Sequence, residues 1–258
     1  MATIHPLASV DFGADLGEDV EVGPFAVIEP GAVLGEGCRV GPQAYITRWA
    51  RLGKGVKVHK GAVVGSDPQD LKFGGEETTL EVGDRTTIRE FATLNRGTAA
   101  HGRTEVGSDC LIMAYAHVAH DCIIGEHVIL ANAVNMGGHV EIADWAIIGG
   151  MVPIHQFVRI GPHAFVGGGW RVPSDVPPFV RAAGDPMTYK GLNVVGLQRR
   201  GFTREQIAPL HHTYKLLYRS GLNISQALER VKEEVEDTPE VKLILEFFET
   251  RGDRGIMK

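Results

Sequence analysis

Residues 16–46 read LGEDVEVGPFAVIEPGAVLGEGCRVGPQAYI, and a large aliphatic residue stands at every sixth position of this stretch. The residue two places earlier is small or β-branched each time. A helix would place its apolar residues three and four apart, and a plain strand would alternate them, so a strict period of six fits neither element alone. It fits a short strand followed by a turn. The large residues are Leu16, Val22, Ile28, Leu34, Val40 and Ile46, and the small ones are Ala14, Val20, Ala26, Ala32, Cys38 and Ala44.

The same register extends on both sides of this stretch. It runs from Ile4 to Val64, resumes at Val82, continues from Val106 to Val172, and is broken only at positions 70, 76 and 100. Three units of six close a triangular coil, and stacked coils pair their strands at about 4.8 Å around a continuous aliphatic core. Glycine often follows the large residue, and we expect these glycines to supply the positive φ that a corner can require.

Two polar, glycine-rich segments interrupt the repeat: SDPQDLKFGGEET at 66–78 and NRGTAAHGR at 95–103. Because the register resumes after each, we predict loops that leave the coil. Towards the C-terminus the pattern becomes helical, with a TREQ capping box from Thr203, a helix after Ser225 and a helix capped by Thr238. The predicted domains are an all-β solenoid at 1–186 and an α-helical domain at 187–258.

The composition argues against several classes of protein. The chain has 258 residues and a net charge of −6, which disfavours nucleic-acid binding because that relies on clustered Lys and Arg. No apolar run approaches the roughly 20 residues that span a bilayer, and the N-terminus lacks a cationic start and an apolar block. We therefore predict a cytoplasmic protein with no membrane span. Its three cysteines form no CxxC pair and occupy the small inward position, which predicts buried thiols.

The segment YAHVAHDC at 115–122 contains the residues most suited to acid–base catalysis or metal binding. By the register, His117 and His120 both lie on the outer wall, and His139 and His155 follow on the next coils. Ordinary surface histidines, a three-histidine zinc site and a histidine base acting on an alcohol all fit this pattern. There is no GxSxG motif and no outward cysteine, so in the last case the nucleophile would be the hydroxyl of the substrate.

Several segments, taken in order, resemble the UDP-N-acetylglucosamine acyltransferase family of hexapeptide-repeat enzymes from about residue 4 to the end. They are PQDLKFGGE, NRGT, AHVAHDC, GHVEIADWAIIGGMVPIHQF, DVPPFV and GLQRRGFTREQI. The resemblance implies a left-handed parallel β-helix with a C-terminal α-helical domain. It also implies a homotrimer that transfers a (3-hydroxy)acyl chain from acyl carrier protein to the 3-position of UDP-N-acetylglucosamine, the first step of lipid A biosynthesis. No cofactor is implied.

The resemblance also implies roles for individual residues. His120 would be the general base, Asp121 would orient its imidazole, and the backbone N–H of Gly138 would hold the oxyanion. The sugar nucleotide would be bound by Asp70, Lys72, His117, His139, His155 and Gln156, with Asn193, Arg199 and Arg200 as a distal set that meets the uridine diphosphate. Carbonic anhydrases of this fold pair two histidines five apart, whereas Cys122, an inward residue, stands five after His117. We therefore predict no metal.

Further implied roles concern the acyl chain and its carrier. Gly168 matches the position that limits acyl length, while Trp170 is predicted at an inward slot, either as a plug of the core or as a groove floor. Arg204, Lys215 and Arg219 could dock an acidic carrier protein or simply be solvated.

Two residues depart from the family pattern. Asn95 stands where many relatives have histidine, and Val195 replaces an acidic residue. These departures leave open a 3-amino sugar acceptor, which would give an amide.

Two rival functions also remain open. The related N-acyltransferase of the pathway carries an N-terminal domain for which hexads beginning at Ile4 leave no room. A non-catalytic binding solenoid would show outward rows of one residue type such as Thr, and no such row is visible.

Overall fold

The computed structural model describes residues 1–250 and 252–258. Twenty-seven strands are found in these ranges, most of them only two residues long. They are β1 (Thr3–Ile4), β2 (Ser9–Val10), β3 (Asp15–Leu16), β4 (Glu21–Val22), β5 (Val27–Ile28), β6 (Val33–Leu34), β7 (Arg39–Val40), β8 (Tyr45–Ile46), β9 (Ala50–Leu52), β10 (Lys57–Val58), β11 (Val63–Ser66), β12 (Thr79–Val82), β13 (Thr87–Ile88), β14 (Thr93–Asn95), β15 (Arg103–Val106), β16 (Leu111–Ile112), β17 (His117–Val118), β18 (Ile123–Ile124), β19 (Ile129–Leu130), β20 (Asn135–Met136), β21 (Glu141–Ile142), β22 (Ile147–Ile148), β23 (Pro153–Ile154), β24 (Arg159–Ile160), β25 (Phe165–Val166), β26 (Val180–Ala183) and β27 (Thr188–Leu192). The helices are α1 (Val194–Arg199), α2 (Arg204–Arg219), α3 (Ile224–Glu234) and α4 (Pro239–Glu249).

The strands form three sheets that make the faces of a triangular prism. Sheet A has the order β1-β4-β7-β10-β13-β16-β19-β22-β25-β26-β27, sheet B the order β2-β5-β8-β11-β14-β17-β20-β23, and sheet C the order β24-β21-β18-β15-β12-β9-β6-β3. Strands β1 to β25 each pair in parallel with a strand of a neighbouring coil, as Ile4 does with Val22. The chain is a left-handed parallel β-helix, and the predicted fold is confirmed.

The core is the aliphatic register predicted from the period of six. Ile28, Ile46 and Leu94 are almost completely buried, and so are the small residues between the large ones, such as Ala26 and Ala44. Burying one such Val, Leu or Ile side chain contributes about 1.5–3 kcal/mol, so the stacked coils share one continuous stabilising column. All three cysteines are free and buried, and burial raises the pKa of Cys110 to about 11.

Most glycines after the strands serve a different purpose from the one predicted, although Gly65 has the expected positive φ, at 88°. Gly17 and Gly35 have ordinary negative-φ backbones, and the left-handed residues of the corners lie two places further on, as at Asp19. A Cβ atom at Gly17 would lie 2.6 Å from Glu36 N on the next coil. These glycines are therefore required by close stacking of coils, and the expectation of positive φ was wrong for them.

Both predicted loops leave the prism at the corner where sheet B meets sheet C. The first connects β11 to β12 and the second connects β14 to β15. The two loops lengthen the coils that contain them, so Lys57 pairs with Thr87 and Thr93 pairs with His117. The strands on either side of each loop nevertheless stay in register. Loop 67–78 and loop 96–102 are therefore additions to one corner of an otherwise regular coil.

A hairpin and helices cover the C-terminal end of the prism. The hairpin pairs β26 with β27 in antiparallel fashion, and the predicted domain boundary after residue 186 falls in its turn. Buried Asp175 accepts a hydrogen bond from Arg159 Nε at 2.9 Å, and its backbone holds Gly255 and Met257 of the C-terminal segment. The C-terminal segment is thus tied to the last coil by the backbone hydrogen bonds of Asp175, whose carboxylate is held by Arg159. That boundary stays a prediction.

The helices largely follow the predicted capping signals. Thr203 closes a capping box with Gln206, and Thr238 caps α4. The predicted start after Ser225 was wrong, because Asn223 is the N-cap of α3 and its side chain accepts from Gln226 N. The short helix α1 was not predicted. Among the described residues, no helix combines the length and the apolar character needed to cross a membrane.

Trp170 does not occupy the inward slot predicted for it. Its side chain is 40% exposed. The equivalent slots of the earlier coils hold buried Ala or Val, such as Ala164 and Val158, so an indole ring is too large for this position and turns outward. The interpretation of Trp170 as a plug of the core was therefore wrong.

Candidate active site

A cleft of about 940 Å³ lies along the corner between sheets B and C. His120, Gly138 and Gln156 occupy equivalent positions of three successive coils there, directly after β17, β20 and β23. Asp70 and Lys72 of loop 67–78 form the opposite wall. The cleft falls within the usual size range of small-molecule sites. It is lined by Gln69, Asp70, Leu71, Lys72, Thr93, Asn95, Tyr115, His117, Ala119, His120, Asn135, Met136, Gly137, Gly138, His139, Gln156 and Phe157.

His120 and Asp121 form a hydrogen-bonded pair at the centre of this corner. His120 Nδ1 lies 2.8 Å from Asp121 Oδ2, and the Asp121 side chain is fully buried. Burial opposes the ionisation of Asp121, but hydrogen bonds from His120 and Thr98 lower its pKa below the ordinary value. An ionised carboxylate fixes the proton of a neutral imidazole on Nδ1, so Nε2 keeps its lone pair free to accept a proton.

Thr98 and Thr104 hold Asp121 from two sides. Thr98 donates from its backbone N to Oδ1 at 2.9 Å and from its hydroxyl to Oδ2 at 2.7 Å. The Asp121 backbone N donates to Thr104 Oγ1 at 2.8 Å. Asp121 also has the left-handed backbone of a corner residue, with φ 58°. The carboxylate beside the imidazole is therefore rigidly placed.

Gly138 lies directly against the imidazole of His120. A Cβ atom at this position would be 2.5 Å from His120 Cε1 and 2.7 Å from Nε2, which no side chain can tolerate. The described residues supply no acceptor for the Gly138 N–H. Glycine is thus required here by contact with the histidine, and a backbone donor remains beside Nε2.

Two further histidines stand close to the pair. His139 Nε2 lies 3.7 Å from Asp121 Oδ2, and its ring stacks on Phe157 at 4.6 Å. His117 Nδ1 lies 2.7 Å from Thr93 Oγ1 on the preceding coil. Burial is the main reason why the pKa of each is lowered, with the charge of His120 adding to the effect at His117. Both are therefore neutral near pH 7 and serve as hydrogen-bonding groups.

Asn95, which stands where many relatives have histidine, puts a buried amide beneath loop 67–78. Asn95 Nδ2 donates to Ser66 Oγ and to Asp67 O, both at 2.9 Å. Asn95 Oδ1 is buried, and none of the described residues donates to it. Val195, the second departure, is exposed on α1.

Not all predicted site residues line the cleft. His155 is exposed beside it, with Nδ1 3.2 Å from Gln156 O. Asn193 caps α1 and donates to His163 O, and Arg200 donates to Trp145 O, so these two residues lie one to two coils beyond His120, on the corner between sheets C and A. Arg199 is exposed on α1.

The residues predicted for the acyl chain and its carrier also lie elsewhere. Gly168 is at the corner between sheets A and B, three coils beyond His120, and Trp170 follows it. Lys215 and Arg219 line a separate cavity of about 250 Å³ with His211. Arg204 does not line it, because it begins α2 about three turns away.

Sequence reasoning missed the residues that support the cleft. Thr98, Arg96 and Thr93 make its buried polar contacts, and the NRGT segment that contains two of them was recognisable as a motif. Its partners could not be read from the chain, because Asp67 and Asp121 meet it only when coils stack.

His120, Asp121 and His139 are the one group among the described residues with the side chains and spacing for a metal site, since their ligand atoms lie within 4.8 Å of one another. Asp121 already accepts three hydrogen bonds from Thr98 and His120. The carboxylate is thus committed to orienting the imidazole, which fits acid–base chemistry better than metal ligation.

Two family models match the chain. Residues 175–257 match a model described as UDP-N-acetylglucosamine O-acyltransferase, domain 2. Residues 13–48 and 103–138 match a model of bacterial transferase hexapeptide repeats.

Relatives are similar over the full length of the chain. A protein from Chlorobaculum parvum, named acyl-(acyl-carrier-protein)–UDP-N-acetylglucosamine O-acyltransferase, is 59% identical over 96% of this chain and 94% of its own. A protein of the same name from Myxococcus xanthus is 51% identical over the whole of both chains. Among solved structures, the UDP-N-acetylglucosamine acyltransferase of Francisella novicida is 37% identical with a TM-score of 0.95, covering 99% of this chain and 94% of its own. That of Bacteroides fragilis is 42% identical with a TM-score of 0.87, covering 99% and 100%.

Proposed function

Because the chain belongs to the UDP-N-acetylglucosamine O-acyltransferase family, we propose that the corner cleft transfers a (3-hydroxy)acyl chain from acyl carrier protein to the 3-hydroxyl of UDP-N-acetylglucosamine. This is the first step of lipid A biosynthesis. The observation that carries the proposal for this cleft is the His120–Asp121 pair with Gly138 against its imidazole.

In this proposal His120 is the general base. Its Nε2 takes the proton of the sugar 3-hydroxyl as the oxygen attacks the thioester carbonyl, and Asp121 stabilises the resulting imidazolium. The proton later passes to the departing thiolate of the carrier. His120 therefore handles the proton in both halves of the transfer, first as base and then as acid. The buried Asp121 carboxylate stays in place throughout.

Gly138 would stabilise the negative charge that develops on the thioester oxygen. Its N–H lies beside the imidazole and has no acceptor among the described residues. A single well-placed oxyanion donor contributes about 2.7–4 kcal/mol to lowering the barrier. The reaction requires neither a cofactor nor a metal in this scheme.

The sugar nucleotide would lie between loop 67–78 and the coil. Asp70 and Lys72 would bind it from the loop, and His117, His139 and Gln156 from the wall, with His155 at the rim. Asn193, Arg199 and Arg200 would hold the diphosphate or the nucleoside from a neighbouring subunit, since they lie on another corner of their own prism.

A homotrimer would bring those residues together. The corner between sheets A and B carries an exposed apolar column, in which Phe25, Phe91, Tyr115 and Met151 are 59%, 44%, 63% and 74% exposed. Exposed apolar columns of this kind mark contact surfaces. Acyl carrier protein would dock by its acidic surface to Lys215 and Arg219 of α2. We place the reaction in the cytoplasm, in agreement with three unpaired, buried cysteines.

One incubation tests the reaction. The purified protein is mixed with 3-hydroxyacyl and plain acyl carrier protein thioesters, and with either UDP-N-acetylglucosamine or its 3-amino analogue, and the products are identified by mass spectrometry. We expect an ester at the 3-position. An amide formed in preference would assign the chain to the 3-amino acceptor, and no transfer would refute the proposal.

Two controls separate the rival functions. Treatment with EDTA should leave the rate unchanged, because no step uses a metal. Offering a sugar with a free 2-amine and a 3-O-acyl group should give no product, which excludes the N-acyltransferase of the pathway.

A further inference from the structure

Residues 95–98 lie between the two walls of the cleft, and of these four residues Asn95 lines it. This segment, Asn95–Thr98, begins at the end of β14 and leaves the coil at the corner between sheets B and C. It contacts loop 67–78 on one side and Asp121 on the other. None of its residues is assigned a part in the proposed chemistry.

Arg96 holds both ends of loop 67–78. Its Nε donates to Asp67 Oδ1 at 2.9 Å, and its Nη1 donates to Thr78 Oγ1 at 3.1 Å and to Glu76 O. The loop residues that line the cleft, Asp70 and Lys72 among them, lie between these anchor points. One guanidinium group therefore contacts both ends of the loop, in addition to the hydrogen bonds that Asn95 and Gly97 make to it.

The site of this guanidinium is built for arginine. It is sandwiched between the rings of Trp49 and Phe73, at 4.5 Å and 4.7 Å, and only 4% of the Arg96 side chain is exposed. A planar cation can stack on two faces and donate in its plane to three acceptors, which an ammonium group cannot do.

Gly97 couples the position of loop 67–78 to that of Thr98. Its carbonyl accepts from Thr78 Oγ1 at 2.6 Å, and its N–H donates to Thr79 O. A Cβ atom here would lie 2.5 Å from Arg103 N, so the backbone is packed too tightly to move independently. Asn95 fixes the other end of the segment through Asp67 O.

Thr98 completes the connection to the base. It supplies two of the hydrogen bonds that lower the pKa of Asp121, one from the backbone and one from the hydroxyl. The same Asp121 Oδ2 receives both the Thr98 hydroxyl and His120 Nδ1. Rotation of the carboxylate would therefore break the contact that orients the imidazole.

We propose that Asn95–Thr98 is a brace that positions both walls of the site, with Arg96 setting the sugar-nucleotide loop and Thr98 setting the carboxylate that orients His120. This inference rests on the proposed function, because its readouts are the kinetic constants of that reaction. Arg96 and Thr98 are positioning residues in it, since each acts through another side chain.

Substitutions of Arg96 and of Thr98 should change different kinetic constants. Arg96→Lys keeps the charge but loses the stacked fork, so KM for UDP-N-acetylglucosamine should rise about tenfold while kcat changes less than about twofold. Asp67→Asn, whose side chain is 68% exposed, is a milder variant with the same expected direction. Arg85→Lys is the matched control, because it makes the same change in the exposed pair with Asp109 and should alter neither constant.

Thr98→Val should instead lower kcat by about tenfold to a hundredfold with little change in either KM, because a misplaced base slows the chemical step. Thr98→Ser restores the hydroxyl and should recover most of the rate. Thr86→Val is the matched control, since Thr86 is buried and its hydroxyl also makes two hydrogen bonds, to Gly107 O and from Cys110 N. It should not change kcat.

Limited proteolysis reports the position of loop 67–78 independently of the enzymatic reaction. Trypsin can cut after Lys72, and Arg96→Lys should speed that cut relative to wild type, whereas Thr98→Val should not. Equal loss of kcat and unchanged KM in both variants, or no change in either, would overturn the brace. An inactive wild-type enzyme would refute the proposed function instead, while the trypsin comparison would still decide the role of Arg96.

Discussion

At the scale of single residues, His120 and Gly138 have equivalent places on successive coils, and the ring of the first occupies the space that a side chain at the second would need. An imidazole supported by Asp121 on one side and by a bare backbone on the other has little freedom to rotate. Its position is therefore set before substrate arrives, which is where much of the rate of acid–base catalysis originates.

Replacing His120 with alanine should leave the fold intact and reduce turnover by about 10²-fold to 10⁴-fold, the usual contribution of a positioned general base. Circular dichroism and steady-state kinetics on the purified variant check this. His59→Ala is the matched control, because His59 is a partly exposed histidine that pairs with Glu90 away from the cleft. Near-wild-type turnover in His120→Ala would remove it from the chemistry.

His163 should make stability depend on pH. Burial, and then the charge of Arg200, lower its pKa from 6.5 to about 4. The unfolded chain therefore binds a proton between these values that the folded chain does not, so stability is full above pH 6.5 and falls as the pH drops towards 4. The loss from this one group is on the order of 3 kcal/mol.

Urea unfolding at pH 7 and pH 5 measures this effect. His163→Phe retains an aromatic ring against Phe179 and should flatten the pH dependence, while His127→Phe is the control at the same corner. His117 and His139, whose pKa values are also lowered, should leave a residual slope of the same sign. An unchanged slope in His163→Phe would contradict the prediction.

At the scale of elements, the outer face of sheet B connects the cleft to Gly168. Strand spacing puts Gly168 about 14 Å beyond His120 along the prism axis, and it is exposed at the far edge of that face. An acyl chain bound along this face would meet Gly168 at that distance, and each methylene buried on the way contributes about 0.8 kcal/mol.

Gly168→Met should therefore shorten the preferred acyl chain by several carbons. A Cβ atom there would lie 3.1 Å from Gly150 O, so a larger side chain is crowded against the preceding coil, and its overlap with an acyl chain on this face would cost about 1–3 kcal/mol. Competition among C10 to C16 thioesters measures the preference. Glu126→Met, at the same turn position of another corner, should leave it unchanged, and a wild-type profile for Gly168→Met would exclude this residue as the limit.

Helix α2 should provide the carrier-protein surface. Lys215 and Arg219 are one turn apart and exposed, so Lys215→Glu with Arg219→Glu should raise KM for the carrier thioester at low salt, with a smaller effect at high salt. Arg230→Glu with Lys242→Glu, on α3 and α4, is the matched charge change. Equal KM values for the two double variants would dismiss this docking surface.

At the scale of the whole molecule, the exposed column of Phe25, Phe91, Tyr115 and Met151 should be covered by neighbouring subunits. Light scattering at micromolar concentration should give a trimer. Met151→Glu with Phe91→Glu should weaken it by burying charge, whereas Phe12→Glu, at a fully exposed end residue, should not. A monomeric wild type would contradict the assembly and the shared site together.

The period of six predicted the fold because each coil repeats the same packing problem, so local pattern and global structure agree. It also placed both loops, since they interrupt the register. The sequence could not predict that Thr98 would hold Asp121 or that Arg96 would anchor Asp67, because these pairs meet only through coils stacked across inserts of different length. Trp170 was misplaced because the register gives a position but not whether an indole fits it.

The pairing of Ile4 with Val22 means that the chain returns to the same face after eighteen residues. A gene duplication of one whole coil would lengthen the prism by about 4.8 Å and preserve every corner, whereas duplication of a single hexad would shift all later residues to a neighbouring face. Evolution can thus change the separation between His120 and Gly168 only in whole-coil steps. Finer adjustment of a length limit set by these two residues would require single substitutions along this face of the prism, which are reversible by point mutation.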